Sequence, residues 1–169
     1  SHVESHFCMA EGIIGGRQCT LEGYSLDGRV ETIGIIDSIH YENGVSFFRY
    51  EYPSTLPFKV QERMVRLTEQ IIQAVGFDNS AFNIEYFWDR EKDRVWLLEI
   101  NTRVSQSHSD IFEKVDGASN QAITVDVALG RNPEFLIAHR AGLPQIAVLI
   151  LAVTVLPAVA LFAAESLVG

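Results

Sequence analysis

The chain has 169 residues and a formal net charge of −9, enough length for one domain with a buried core. The acidic balance argues against nucleic-acid binding through a basic surface. Two cysteines, Cys8 and Cys19, and five scattered histidines form no CxxC or zinc-spaced cluster, so the cysteines read as reduced core or sheet residues.

Ser1-His2 carries neither an initiator Met nor a signal-peptide pattern, and the expectation is a fragment of a longer protein. His6 to Ile14 reads as a strand ending at the Gly15-Gly16 turn. Arg17 to Ser25 resumes in extended form, with Cys19 and Leu21 on one face and Gln18, Thr20 and Glu22 on the other. Asp27-Gly28 marks a hairpin into a strand from Val30 to Ile39, completing a three-stranded meander. His40 to Pro57 is expected as a long irregular loop broken by Asn43-Gly44, Pro53 and Pro57, either a cover over a site or a surface excursion. Phe58 to Val75 is a predicted amphipathic helix with Met64, Leu67, Ile71 and Val75 as its apolar stripe and Gly76 as its cap. Ala81 to Trp88 and Val95 to Asn101 form a hairpin around the charged turn 89–93. After an irregular stretch, Ser119 to Leu129 is a helix capped by Gly130. The expected fold class is α+β, an antiparallel sheet packed with helices.

The chemistry gathers on the second hairpin. Phe82-Asn83-Ile84-Glu85 and Trp96-Leu97-Leu98-Glu99-Ile100-Asn101-Thr102-Arg103 are apolar strands carrying carboxylates, which are costly to bury without a partner. Glu99 and Asn101, two residues apart, share a face, while Leu98 and Ile100 point into packing. Glu85 faces them across the hairpin, and two carboxylates with one amide suit Mg²⁺, which keeps room for waters and phosphate oxygens. Arg103 then holds an anion beside that metal. The competing reading, a structural ion network between these carboxylates and Arg103, accounts less well for Asn101 at strand spacing.

Glu-Ile-Asn-Thr-Arg (99–103), preceded by Asn-Ile-Glu (83–85), resembles the ATP-grasp superfamily, which includes biotin carboxylase and carboxylate–amine ligases. Glu11-Gly12-Ile13-Ile14-Gly15-Gly16-Arg17-Gln18 is similar to a second segment of that family, and the likeness continues through residues 113–117 to 128–130. The resemblance implies the C-terminal half of an ATP-grasp domain. It implies that Glu11 and Ile14 meet adenine and that Gln18, where many relatives have Glu, hydrogen-bonds ribose. It further implies that Glu85, Glu99 and Asn101 hold Mg²⁺, with Mn²⁺ as an alternative, on the ATP phosphates. Arg103 would orient a carboxylate substrate or the acyl-phosphate made from it, which an amine or similar nucleophile captures. Ser105, Ser107 and His108 line the acceptor side or serve as ordinary loop residues.

The resemblance also implies a partner, the missing N-terminal half with its phosphate-closing lysines and glycine-rich loop, and an inactive fragment without it. Residues 1–140 are expected as the subdomain and 141–169 as an apolar tail. The run from Leu143 to Ala164 is long enough for a bilayer helix, which would leave the domain cytoplasmic. Pro144 and Pro157 interrupt it, and a buried segment or a sequence artefact is preferred. Two other readings are open: a non-catalytic nucleotide-binding or membrane-tethered module with a degenerate form of this fold, and a hydrolase using Glu85 and Glu99 as acid and base. The second leaves Asn101 and Arg103 unexplained.

Overall fold

A computed structural model describes residues 12–42 and 46–133 and the backbone of residues 151–152. Its elements run β1 (Arg17–Leu26), β2 (Arg29–His40), β3 (Phe47–Glu51), α1 (Phe58–Ala74), β4 (Ser80–Asp89), β5 (Arg94–Asn101), a 3₁₀ turn (Gln106–His108), α2 (Ser109–Asp116), α3 (Asn120–Ala128) and β6 (Leu151–Ala152). The strands form one sheet in the order β5-β4-β1-β2-β3-β6, every neighbouring pair antiparallel. The α+β expectation holds.

The sheet has a different filling on each face. Cys19 and Leu21 of β1, with Phe82, Ile84, Tyr86 and Trp88 of β4, pack against Val60, Met64 and Ile72 of α1. Tyr24, Leu26 and Ala81 turn the other way, into a core completed by Ile111, Phe112, Ile123 and Val127 of α2 and α3. This is the period-two alternation of strand side chains. On β2 the alternation breaks, because Ile33 lies in the α2–α3 core and Ile35, two residues on, in the α1 core. The register explains it: Glu22 faces Gly34 and Gly23 faces Thr32, leaving Ile33 as the extra residue of a bulge. Gly23 allows the close approach there, since a Cβ would lie 2.6 Å from the Phe82 ring and 2.7 Å from the Glu31 carbonyl oxygen.

Several sequence expectations change. The loop expected over 40–57 contains β3, which pairs with β2 through Asp37↔Glu51, Ser38↔Tyr50 and Ile39↔Arg49. Its prolines lie outside the strand, and its ladder is built on β2, the strand immediately before it. The irregular stretch before α3 contains α2, whose Ile111 and Phe112 are fully buried and which ends at Gly117 in the left-handed conformation, φ 84°. The buried stripe of α1 is Val60, Met64, Thr68 and Ile72, whereas Val75 is 66% exposed. Thr68 belongs there because its hydroxyl meets that of Tyr86 at 2.8 Å, so a polar position inside the stripe is satisfied. Leu98 and Ile100 are 44% and 39% exposed, since β5 is the edge strand of the sheet.

The strand expected from His6 falls outside the described residues up to Glu11, and 12–14 carry no regular structure. Asn43-Gly44 and most of the apolar tail also lie outside them. Within the tail, the backbone of Leu151–Ala152 pairs antiparallel with Arg49 and Tyr50 of β3. No helix of the described residues is long and apolar enough to cross a membrane.

Candidate functional site

Strand register assembles the site. Thr20 of β1 pairs with Glu85 of β4, and β5 places Glu99 opposite Glu85 and Asn101 opposite Asn83. All of these side chains lie on the sheet face away from α1, since directly opposed residues on neighbouring strands share a face. A cavity of about 600 Å³ opens there, with Asn83, Glu85, Asn101, Arg103, Tyr50 and His108 among its lining residues. Glu99 is exposed and outside the lining, and is tied to it by accepting from Asn101 Nδ2.

The polar contacts form two chains. In the first, His40 Nε2 meets Gln18 Oε1 at 2.7 Å, and Gln18 Nε2 donates to Glu85 Oε2 at 2.7 Å. Because the Gln18 oxygen needs a donor, His40 carries its proton on Nε2. In the second chain, Asn101 Nδ2 donates to Glu99 Oε1 at 2.8 Å and to Asn83 Oδ1 at 3.0 Å. Asn83 Nδ2 in turn donates to the Arg103 carbonyl oxygen at 2.9 Å.

Partial burial and then the facing charge of Glu99 push the Glu85 carboxyl above its usual range, against the opposing pull of Gln18, His108 and Arg103. Two like charges directly opposite on neighbouring strands repel, and the described residues bring no cation within ion-pair distance of either carboxylate. Arg103 makes no ion pair among the described residues, so the structural network with Glu85 and Glu99 is not formed there. The described residues also hold no cluster of three His, Cys, Asp or Glu side chains suited to a metal. The donor set is instead two carboxylates and an amide oxygen, hard ligands that fit a small divalent cation.

Of the residues singled out in the sequence, Glu85, Asn101 and Arg103 line the cavity, while Gln18 and Glu99 join it through their hydrogen bonds to Glu85 and Asn101. Both ends of the Gln18 amide are engaged within the protein. Ile14 is half-buried and is not part of the cavity wall; Glu11 lies outside the described residues. Gly16 lies between Ile14 and Gln18 at φ 127°, where a Cβ would collide with the Trp88 carbonyl.

Sequence reasoning missed the floor beneath Arg103. Glu22 is fully buried; it accepts from Ser105 N at 3.0 Å and meets His108 Nδ1 at 2.9 Å. Asn120 Nδ2 reaches Glu22 Oε2 at 3.4 Å and the Ser105 carbonyl at 2.9 Å. This buried carboxylate holds the segment after β5 against the sheet. The His108 ring also meets Tyr50 edge-on, 4.6 Å between centroids. Glu22 on the polar face of β1 was visible in the sequence; its partners, 83 to 98 residues away, were not.

Comparison with known proteins gives a consistent picture. The model of the family described as "Carbamoyl-phosphate synthase L chain, ATP binding domain" matches residues 50–134. The C-terminal section of the carbamoyl phosphate synthase large chain of Methanopyrus kandleri is 32% identical over 129 residues, covering 73% of this chain and 23% of the relative. Biotin carboxylase of Campylobacter jejuni, solved as a beta-gamma-ATP complex, superposes with a TM-score of 0.61 at 22% identity over 73% of this chain and 27% of that one. The biotin carboxylase domain of Hydrogenobacter thermophilus 2-oxoglutarate carboxylase, solved with MgADP, ADP and bicarbonate, gives 0.57 at 22% identity, covering 70% and 26%. The chain thus spans less than a third of the length of each of these proteins.

Proposed function

The chain belongs to the family of the carbamoyl-phosphate synthase large-chain ATP-binding domain, an ATP-grasp fold, and from that premise we propose that it binds Mg-ATP for a ligase that activates a carboxylate as an acyl-phosphate. The observation that carries this reading is the convergence of Glu85, Glu99 and Asn101 on one side of a cavity whose wall also holds Arg103.

Glu85, Glu99 and Asn101 are the residues that hold the cation, with Mn²⁺ able to replace Mg²⁺. The cation, when bound, neutralises charge on the nucleotide phosphates. Arg103 orients the substrate carboxylate, for which a guanidinium offers paired donors. A carboxylate oxygen attacks the γ-phosphorus, the bond to the bridging oxygen breaks, and ADP leaves. An amine or similar nucleophile then attacks the acyl carbon and inorganic phosphate departs. The protein's part is positioning and charge compensation rather than covalent chemistry. Turnover belongs to a protein carrying both halves of the clamp, with the other half closing over the phosphates.

The test is calorimetric titration of this chain with ADP or ATP, with and without Mg²⁺, using Asn101→Ala as control. The reading expects binding that requires the metal and is lost in the variant. Binding of equal strength in Asn101→Ala would overturn the metal assignment.

A further inference from the structure

We propose that Asn83 is the positioning residue of this site, one buried amide that fixes which atom of Asn101 is offered to a cation and anchors the backbone of Arg103. The inference rests on the metal reading above and extends it to a residue that touches neither metal nor nucleotide.

The argument is a chain of obligatory hydrogen-bond roles. The Arg103 carbonyl oxygen only accepts, so the Asn83 atom 2.9 Å from it is the amide nitrogen. That orientation leaves Asn83 Oδ1 as an acceptor, and the Asn101 atom 3.0 Å from it is therefore a donor, Nδ2. The Glu99 carboxylate, 2.8 Å from the same nitrogen, makes the same demand independently. With Nδ2 engaged twice, Asn101 Oδ1 is the amide atom left over, and it has no hydrogen-bond partner among the described residues. An amide free to flip would present its NH₂ group to a cation half the time and repel it. Here the flip is closed off by two acceptors.

Asn83 is suited to this part. It is 2% exposed, directly opposite Asn101 across the β4–β5 ladder, and flanked on β4 by the fully buried Phe82 and Ile84. Its side chain is held in place by its two bonds. An asparagine in a strand core is otherwise disfavoured; both ends of this one are used, and both uses serve the proposed ligand set.

The experiment has two readouts on the full chain. The first is metal-free: in ¹⁵N-labelled protein, the side-chain NH₂ resonances of Asn101, assigned by their loss in Asn101→Ser, are followed in Asn83→Leu and Asn83→Asp. The second is Mn²⁺ titration in the presence of ADP, read by electron paramagnetic resonance. Asn83→Leu is close in size and lacks both bonds; it is expected to shift the Asn101 amide resonances and weaken Mn²⁺ by about tenfold or more, as loss of an orienting partner does. Asn83→Asp keeps the acceptor for Asn101 and is expected to retain Mn²⁺ binding near the wild-type value. Unchanged Asn101 resonances in folded Asn83→Leu would overturn the inference whatever the metal does. So would equal loss of Mn²⁺ in folded Asn83→Asp and Asn83→Leu. Should Asn83→Leu fail to fold, Asn83→Ala, which also lacks both bonds, takes its place with the same two readouts. Wild-type protein that binds no Mn²⁺ while its Asn101 resonances respond to Asn83→Leu would sink the metal reading, and the positioning role with it, but leave the amide geometry standing.

Discussion

Asp37 and the Glu85–Glu99 pair are carboxylates of the same sheet in opposite circumstances. Asp37 is 1% exposed and fully provided for: Arg17 at 2.7 Å, Ser54 Oγ at 2.6 Å, Thr55 N at 2.9 Å and Thr55 Oγ1 at 2.8 Å. Glu85 and Glu99 each receive one amide donor, from Gln18 and Asn101 respectively, and face one another without a cation among the described residues. A fold that satisfies one buried carboxylate with a cation and three further donors has the means to satisfy others. Two opposed carboxylates without a cation between them, one partly buried beside a cavity, are what the proposed cation site requires.

That contrast can be broken by mutation. The largest effect is expected from Asn101→Ala: metal-dependent nucleotide heat lost in calorimetry, with the thermal midpoint close to wild type. A parallel fall in stability would place Asn101 with the structural groups. Next comes Asp37→Ala, expected to cost about 3 kcal/mol in urea denaturation, because the hydroxyls and the Thr55 amide lose their acceptor and Arg17 its partner. Nucleotide binding at low denaturant should survive that change.

Glu85→Gln sharpens the comparison through pH. The folded chain holds this carboxyl above its reference value of 4.5, so ionisation costs folding free energy. The cost is absent below the carboxylate range and complete once pH exceeds the folded value. The variant should therefore match wild type at about pH 3 and gain stability on it at about pH 7, while losing the metal. A variant less stable than wild type at neutral pH would make Glu85 structural. The smallest effect is expected from Asp110→Ala, whose partner Lys114 lies 3.5 Å away with both side chains at least half exposed. Such pairs are screened by water and salt, and the urea midpoint should not move measurably.

Much of this molecule was legible in local pattern. Alternation along Arg17 to Ser25 and Ala81 to Trp88 placed two central strands. Asp27-Gly28 placed the hairpin from β1 into β2, and both residues do adopt positive φ, 52° and 74°. The motif residues Glu85, Glu99, Asn101 and Arg103 stood out because charge in an apolar strand demands a reason. β3 escaped notice, since five residues between turn-formers carry too short a period and their pairing comes from β2. α2 escaped for a similar cause: eight residues form a helix only when Ile111 and Phe112 find a core. The bulge at Ile33 hid the faces of β2, and Leu98 and Ile100 were expected inside because nothing local marks an edge strand.

The sequence by itself determined β1, β2, β4 and β5, the faces that polar residues take along β1 and β4, and the four residues proposed to carry the chemistry, because strand periodicity and the cost of buried charge act over a few neighbouring residues. Only the tertiary structure decided that Glu22 would hold down the segment after Arg103, that Gln18 would spend both amide ends on His40 and Glu85, and that Asn83 would orient Asn101. Those roles belong to hydrogen bonds between residues far apart in the chain, and a donor or acceptor has no assigned partner until the register of the sheet brings one within 3 Å.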